Sequence, residues 1–173
     1  MFDKEYSFRG HHAIKVKEMV RQIGGHLPIF ERNYDVYLIS PLIGFLYNRQ
    51  SDIDTITPGK TDIFPEILIR NARELKFNYQ IIMLLDESYE NDFNNRITKA
   101  FKNFNTDAAA DDEKHYNKYV LGGVEVIYEK IIEKSINMED CLDKYYAFME
   151  DFDERFNGNI DPIEFEDLFK LDV

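Results

Sequence analysis

The sequence predicts an all-α protein, an irregular helical bundle of six to seven helices built by residues 1–173 as a single helical domain. Three observations predict it. Apolar side chains return at the three- and four-residue spacing of one helical face in segment after segment. The connections between those segments are mostly short. The one stretch rich in β-formers, Tyr34 to Ile39, has no second stretch of similar strength to pair with, so helix is preferred there too.

The first helix runs from about His11 to Ile23, with Ala13, Val16, Val20 and Ile23 on one face, and Gly24-Gly25 stops it. Ile29, Phe30, Tyr34, Tyr37 and Leu38 suggest a second helix. Ser40 as N-cap and Pro41 in a first turn suggest a restart, and Leu42, Phe45 and Leu46 continue the apolar face. Asn48 to Asp62 reads as a polar loop. Pro65 to Glu87 reads as one long or once-bent helix whose patch Ile81 to Leu85 is the centre of the core. A helix from Glu90 to Phe104 places Phe93, Ile97, Ala100, Phe101 and Phe104 together, and Asn105 to Asp112 is a loop. From Glu113 to Lys134, Tyr116, Val120, Val124, Ile127 and Ile131 stay in register. Gly122-Gly123 inside that stretch costs about 1 kcal/mol per glycine against alanine. Either the helix breaks there or another backbone packs close. Met138 to Phe152 is amphipathic, with Met138, Leu142, Tyr145, Phe148 and Phe152 inward, and a short segment from Pro162 to Leu171 follows. No repeat, low-complexity tract or linker interrupts the chain.

Composition sets the outer limits. A chain of 173 residues with 44% apolar residues, 14 Phe and 11 Tyr has ample core material, which excludes disorder throughout. No run approaches the roughly 18 apolar residues of a membrane span. The opening MFDKEYSFRG lacks a signal peptide's apolar core, so the expectation is cytoplasmic with no membrane contact. The one cysteine, Cys141, falls among apolar residues and reads as a buried structural thiol. Net charge is −12, split as +1 through Leu85 and −13 from Asp86 onward. The acidic half repels phosphate and suits solubility, docking to a basic partner or mimicry of a DNA surface.

Linear chemistry is sparse. Gly59-Lys60-Thr61 ends like a phosphate loop, but Asp54 stands where its first glycine belongs and no strand precedes it. His11, His12, His26 and His115 show no zinc spacing. His11 and His12 project about 100° apart on a helix, which disfavours a shared metal. Asp52/Asp54 and Asp111/Asp112 read as caps and solvated loop charges. Arg9, Lys15, Lys17, Arg21, Arg32 and Arg49 could gather near the ends of the first helices as a nucleic-acid contact of the N-terminal half. No catalytic constellation stands out, and no cofactor is expected apart from calcium at the following loop.

Asp153 to Glu164 (DERFNGNIDPIE) resembles the calcium loop of an EF-hand. Asp153 opens it, Asn157 and Gly158 take the fifth and sixth positions, Asp161 the ninth and Glu164 the twelfth. The resemblance implies Asp153, Asn157, Asp161 and Glu164 as calcium ligands. Arg155 at the third position departs from the pattern, supplying donors where the metal needs an oxygen. A helix-turn-helix corner at Gly158 is the competing reading.

The stretch Ile29 to Arg49, with Ile29-Phe30, Asp35-Val36, an apolar run, Gly44-Phe45 and a basic residue, resembles a segment of small helical accessory proteins encoded beside bacterial DNA-phosphorothioation and related defence systems. That resemblance implies a non-enzymatic interaction protein in a larger bacterial complex, with a protein partner and no catalytic residue to carry over. A nucleic-acid-contacting regulator and a calcium-responsive module are the alternatives, and homo-oligomerisation is compatible with each.

Overall fold

The computed structural model describes residues 1–21 and 28–156. Ile23, Gly24, Gly25, His26, Asn157, Gly158, Asp161, Glu164 and the segment from Pro162 to Leu171 lie outside them. Within the described residues the chain is mostly helical, as expected: α1 (Gly10–Met19), α2 (Asn33–Leu46), α3 (Pro65–Arg70), α4 (Ala72–Leu85), α5 (Phe93–Ile97), α6 (Ala110–Ile127) and α7 (Met138–Phe156). No described helix is long and apolar enough to cross a membrane.

A small sheet adds what the sequence reading lacked. β1 (Tyr6–Arg9) pairs antiparallel with β2 (Lys60–Ile63), in the register Tyr6 with Ile63 through Arg9 with Lys60. Phe8 and Ile63 are fully buried on it, and the Ser7 hydroxyl donates to Asp62 across the pair at 2.7 Å. The expected loop up to Asp62 therefore ends as a strand. Two four-residue strands some fifty positions apart leave no local pattern to read.

The core is organised by α2 against α6. Here two backbones meet without side chains between them. A Cβ at Gly123 would collide with the Ser40 carbonyl, one at Gly44 with the Tyr119 carbonyl, and one at Gly122 with the Arg49 carbonyl. Of the two readings of Gly122-Gly123, close packing is therefore the one realised, and α6 runs unbroken. Nor does α2 restart at Ser40: it passes straight through Pro41, with the Ser40 hydroxyl donating to the Val36 carbonyl at 2.6 Å. The missing proline N–H costs one helical hydrogen bond, and burial of Val36, Tyr37, Ile43 and Pro41 outweighs it.

Other expectations divide. Tyr116, Val120, Val124, Ile127 and Ile131 are all buried along α6 and the π-helical turn Tyr128–Ile132 that continues it. The helix from Pro65 bends once, at Asn71, whose side chain donates to the Ile67 carbonyl at 2.7 Å. Ile82 and Met83 are buried as expected, but Leu85 is exposed. Ala100 is buried as expected, but Phe93 and Phe101 are exposed, because a π-helical turn (Thr98–Lys102) follows α5 and rotates the face, and Arg96 is buried instead. On α7 Cys141 and Phe148 are buried while Leu142 faces outward, and Tyr47 stacks against Phe148 at 6.1 Å to seat the helix.

Candidate functional site

The site starts from the junction of β1 and α1, which follow one another with no linker. Gly10 makes that turn at φ 59, and its N–H donates to the Gly59 carbonyl at 3.0 Å. A side chain at Gly10 would be strained at that φ and would strike the Asp54 carboxylate. The bare glycine thus lets Asp54 reach the first turn of α1. Asp54 Oδ1 accepts from the backbone N–H of Ile56 (2.9 Å) and Thr57 (3.0 Å), and Oδ2 accepts from the backbone N–H of His11 at 3.0 Å. The His11 Nδ1 lies 2.9 Å from the same Oδ2. Hydrogen bonds from Thr57 and then His11 hold the Asp54 carboxyl far below the usual carboxylate range. Asp54 is no solvated loop charge.

Glu125 enters from α6, two residues beyond the glycine pair. Its Oε1 accepts from the Ser51 hydroxyl at 2.8 Å, and its Oε2 from Arg49 Nε at 3.1 Å. Burial pushes this carboxyl up, and hydrogen bonds led by those from Ser51 and Arg49 more than offset it. Two imidazoles face the same Oε1: His11 Nε2 at 3.4 Å and His12 Nε2 at 3.3 Å.

His12 is fully buried, and neither of its ring nitrogens has a hydrogen-bond partner. Burial, then the neighbouring His11, lowers its pKa to about 4, so it is a neutral imidazole at physiological pH. An N–H at His11 Nδ1 donates to the Asp54 carboxylate, which turns His11 Nε2 toward Glu125. Three possible ligand atoms converge here. The ligand atoms of His11, His12 and Glu125 lie within 4.8 Å of one another, the one such trio of histidine and acidic or thiol groups among the described residues. The ring centroids of the two histidines are 3.9 Å apart, so the expectation that neighbouring positions keep them from sharing a ligand is corrected. Both rings turn toward Glu125 from the helix's first turn.

His12 and Ser51 also line a cleft of about 670 Å³ whose apolar walls include Tyr6, Tyr37, Tyr116 and Leu121. The Tyr116 hydroxyl is buried without a partner, and burial holds the Tyr116 and Tyr37 phenols well above their ordinary range.

A second polar cluster joins the same helix nearer its start. Asp86, 3% exposed, accepts from the Tyr119 hydroxyl (2.7 Å), the Ser88 hydroxyl (2.6 Å) and the Tyr89 N–H (3.1 Å), and His115 Nε2 lies 2.7 Å from it. His115 stacks flat on Tyr89 at 3.7 Å. Beside it, buried Asp112 accepts from Lys99 (2.7 Å) and the Tyr89 hydroxyl (2.8 Å), so Asp112 is not the solvated charge expected of it.

The nucleic-acid candidates are spread over several elements. Arg49 is bound to Glu125 and to Glu129 (3.2 Å), and Arg32 to Asp35 (3.1 Å). Lys15 sits over the Tyr128 ring at 5.3 Å, while Arg9, Lys17 and Arg21 are exposed. Of the calcium candidates, Asp153 lies exposed in the last turns of α7, and Asn157, Asp161 and Glu164 fall outside the described residues. Sequence reasoning missed Asp54, Ser51 and Glu125 as companions of the histidines. Glycine directly before paired histidines was the one available signal.

On another face, a groove of about 810 Å³ lies between α2 and α4. Leu38, Ile39, Leu42 and Phe77 form its walls, and Arg73 and Lys76 stand on α4 beside it. Ile39 and Phe77 are exposed, and Asn78 ties the two helices by donating to the Leu38 carbonyl at 2.8 Å. No family model, curated protein or solved structure matches the chain, so what these sites do rests on their own geometry.

Proposed function

We propose that the chain is a non-enzymatic accessory protein that binds a partner protein, with the α2–α4 groove receiving an amphipathic helix of that partner. The observation that carries this reading is the uncovered apolar wall of Leu38, Ile39, Leu42 and Phe77. Large exposed side chains in one concave strip are what a helix-in-groove contact uses. Arg73 and Lys76 outnumber Glu74 along the groove and favour a partner stripe with carboxylates beside it. The resemblance of Ile29 to Arg49, which spans most of α2, supplies the setting: a DNA-modification or defence assembly.

A photo-crosslinking residue placed at Phe77 tests it in the native cell, with one at Glu139 on exposed α7 as control. The expected result is a discrete adduct with another protein from position 77 alone, lost when Ile39→Asp is added. Equal adducts from both positions, or an adduct indifferent to Ile39→Asp, would overturn it. An adduct of the chain with itself would make the groove a homo-oligomer contact instead.

The cleft beside His12 favours a second reading, a small-ligand binder. Its size and aromatic walls suit a flat apolar molecule, with Ser51 among the polar groups that would orient it. Thermal-shift screening of Tyr37→Ala against the unaltered chain separates this reading from the first, since the groove lies elsewhere.

A further inference from the structure

We infer that His11, His12 and Glu125 form a binding site for a zinc-class divalent cation, held by His11 Nε2, His12 Nε2 and Glu125 Oε1. This goes beyond the docking reading and does not depend on it. Four observations converge.

The first is spacing. Around a tetrahedral zinc with bonds of about 2.0–2.1 Å, neighbouring ligand atoms stand about 3.3–3.4 Å apart. The two imidazole nitrogens lie 3.4 and 3.3 Å from Glu125 Oε1. The second is donor chemistry: two imidazoles and a carboxylate are a zinc-type ligand set that leaves a fourth position. Hard cations such as magnesium would want oxygens throughout.

The third is orphaned polarity. His12 is sealed from solvent with both nitrogens unpartnered, which is costly unless something accepts its lone pair. A cation between the three groups would give the unpartnered His12 nitrogen a partner. The fourth is support around the ligands. Asp54 accepts a hydrogen bond from His11 Nδ1–H and thereby aims Nε2 inward, while Ser51 and Arg49 fix the Glu125 carboxylate. Carboxylate partners of this kind set the tautomer and raise ligand basicity. His12 and Ser51 also border the cleft, which places the cation at its edge.

The test uses untagged, chelator-stripped full-length chain titrated with zinc by calorimetry and with cobalt(II) by visible absorption. We expect one ion per chain, a tetrahedral cobalt spectrum without a thiolate band, and no change on Cys141→Ser or His26→Gln. His11→Ala should fold, because that side chain is 41% exposed, and it should weaken binding at least about 10-fold. Asp54→Asn should weaken it too, with all three ligands still present. No saturable binding at micromolar zinc would overturn the inference. So would binding that survives both His11→Ala and Glu125→Gln unchanged, which would leave the trio as a plain imidazolium–carboxylate contact.

Discussion

Helix α6 carries two buried clusters that look alike and are built oppositely. Near its start Asp86 meets His115 and Tyr119; near its end Glu125 meets His11 and His12. Every partner of Asp86 gives it a hydrogen, so the carboxyl stays below its ordinary range despite a burial that pushes the other way. Tyr119 shows the complementary effect, its phenol driven up to about 12 by burial and by Asp86. At Glu125 the carboxylate is satisfied by Ser51 and Arg49, but buried His12 beside it leaves both ring nitrogens without a partner. A saturated cluster holds the fold together. An unsaturated one holds a place for something else.

The largest effect should come from breaking both at once. Gly123→Ala drives a methyl into the Ser40 carbonyl, and neither backbone has a flexible end that can yield. We expect a loss of more than about 3 kcal/mol, read as a large drop in melting temperature and urea midpoint. The same change at exposed Lys17 should be nearly silent.

The next effect isolates the unsaturated cluster. His12 has an ordinary pKa of 6.5 that falls to about 4 when folded. Between those values the unfolded chain takes up a proton that the folded chain refuses, so stability falls as pH drops through this window and is fully present above it. In chelator-treated protein the loss should reach up to about 3 kcal/mol near pH 4. Chemical denaturation at stepped pH should show His12→Gln with a shallower slope than the parent over the same range. Equal slopes would mean that His12 is paired after all.

A smaller contrast sharpens the comparison further. Asp86→Asn puts an amide N–H₂ among donors and should cost about 2–3 kcal/mol. Glu125→Gln can donate to an imidazole while its oxygen still faces Arg49, so it should change metal-free stability by no more than about 1 kcal/mol. Denaturant midpoints of the two variants measure the difference directly.

Much of the scaffold was legible in the residues. The stripe Tyr116, Val120, Val124, Ile127 and Ile131 announced α6 because burial on one face imposes the helical period on the chain itself. The sheet was not, since its two short strands lie some fifty positions apart in the chain. The outward Phe93 and Phe101 were misread because a π-helical turn inserts a rotation that no local composition signals. The site was the least visible part. His11 and Glu125 stand 114 positions apart, and Asp54 reached His11 only because Gly10 carries nothing in its way. Linear spacing encodes chemistry when ligands share one element, and here they come from a helix start, a loop and a distant helix.

The backbone crossing of α2 and α6 has a consequence for ancestry. Because carbonyls and glycines make that contact, it is specified by three small residues rather than by bulky side chains. Distant kin of this chain would betray themselves less by shared hydrophobic residues than by a small residue at the place of Gly44 facing an adjacent small pair at the place of Gly122 and Gly123. A profile tuned to overall similarity would pass over such cousins, whereas one weighted on those three places would gather them.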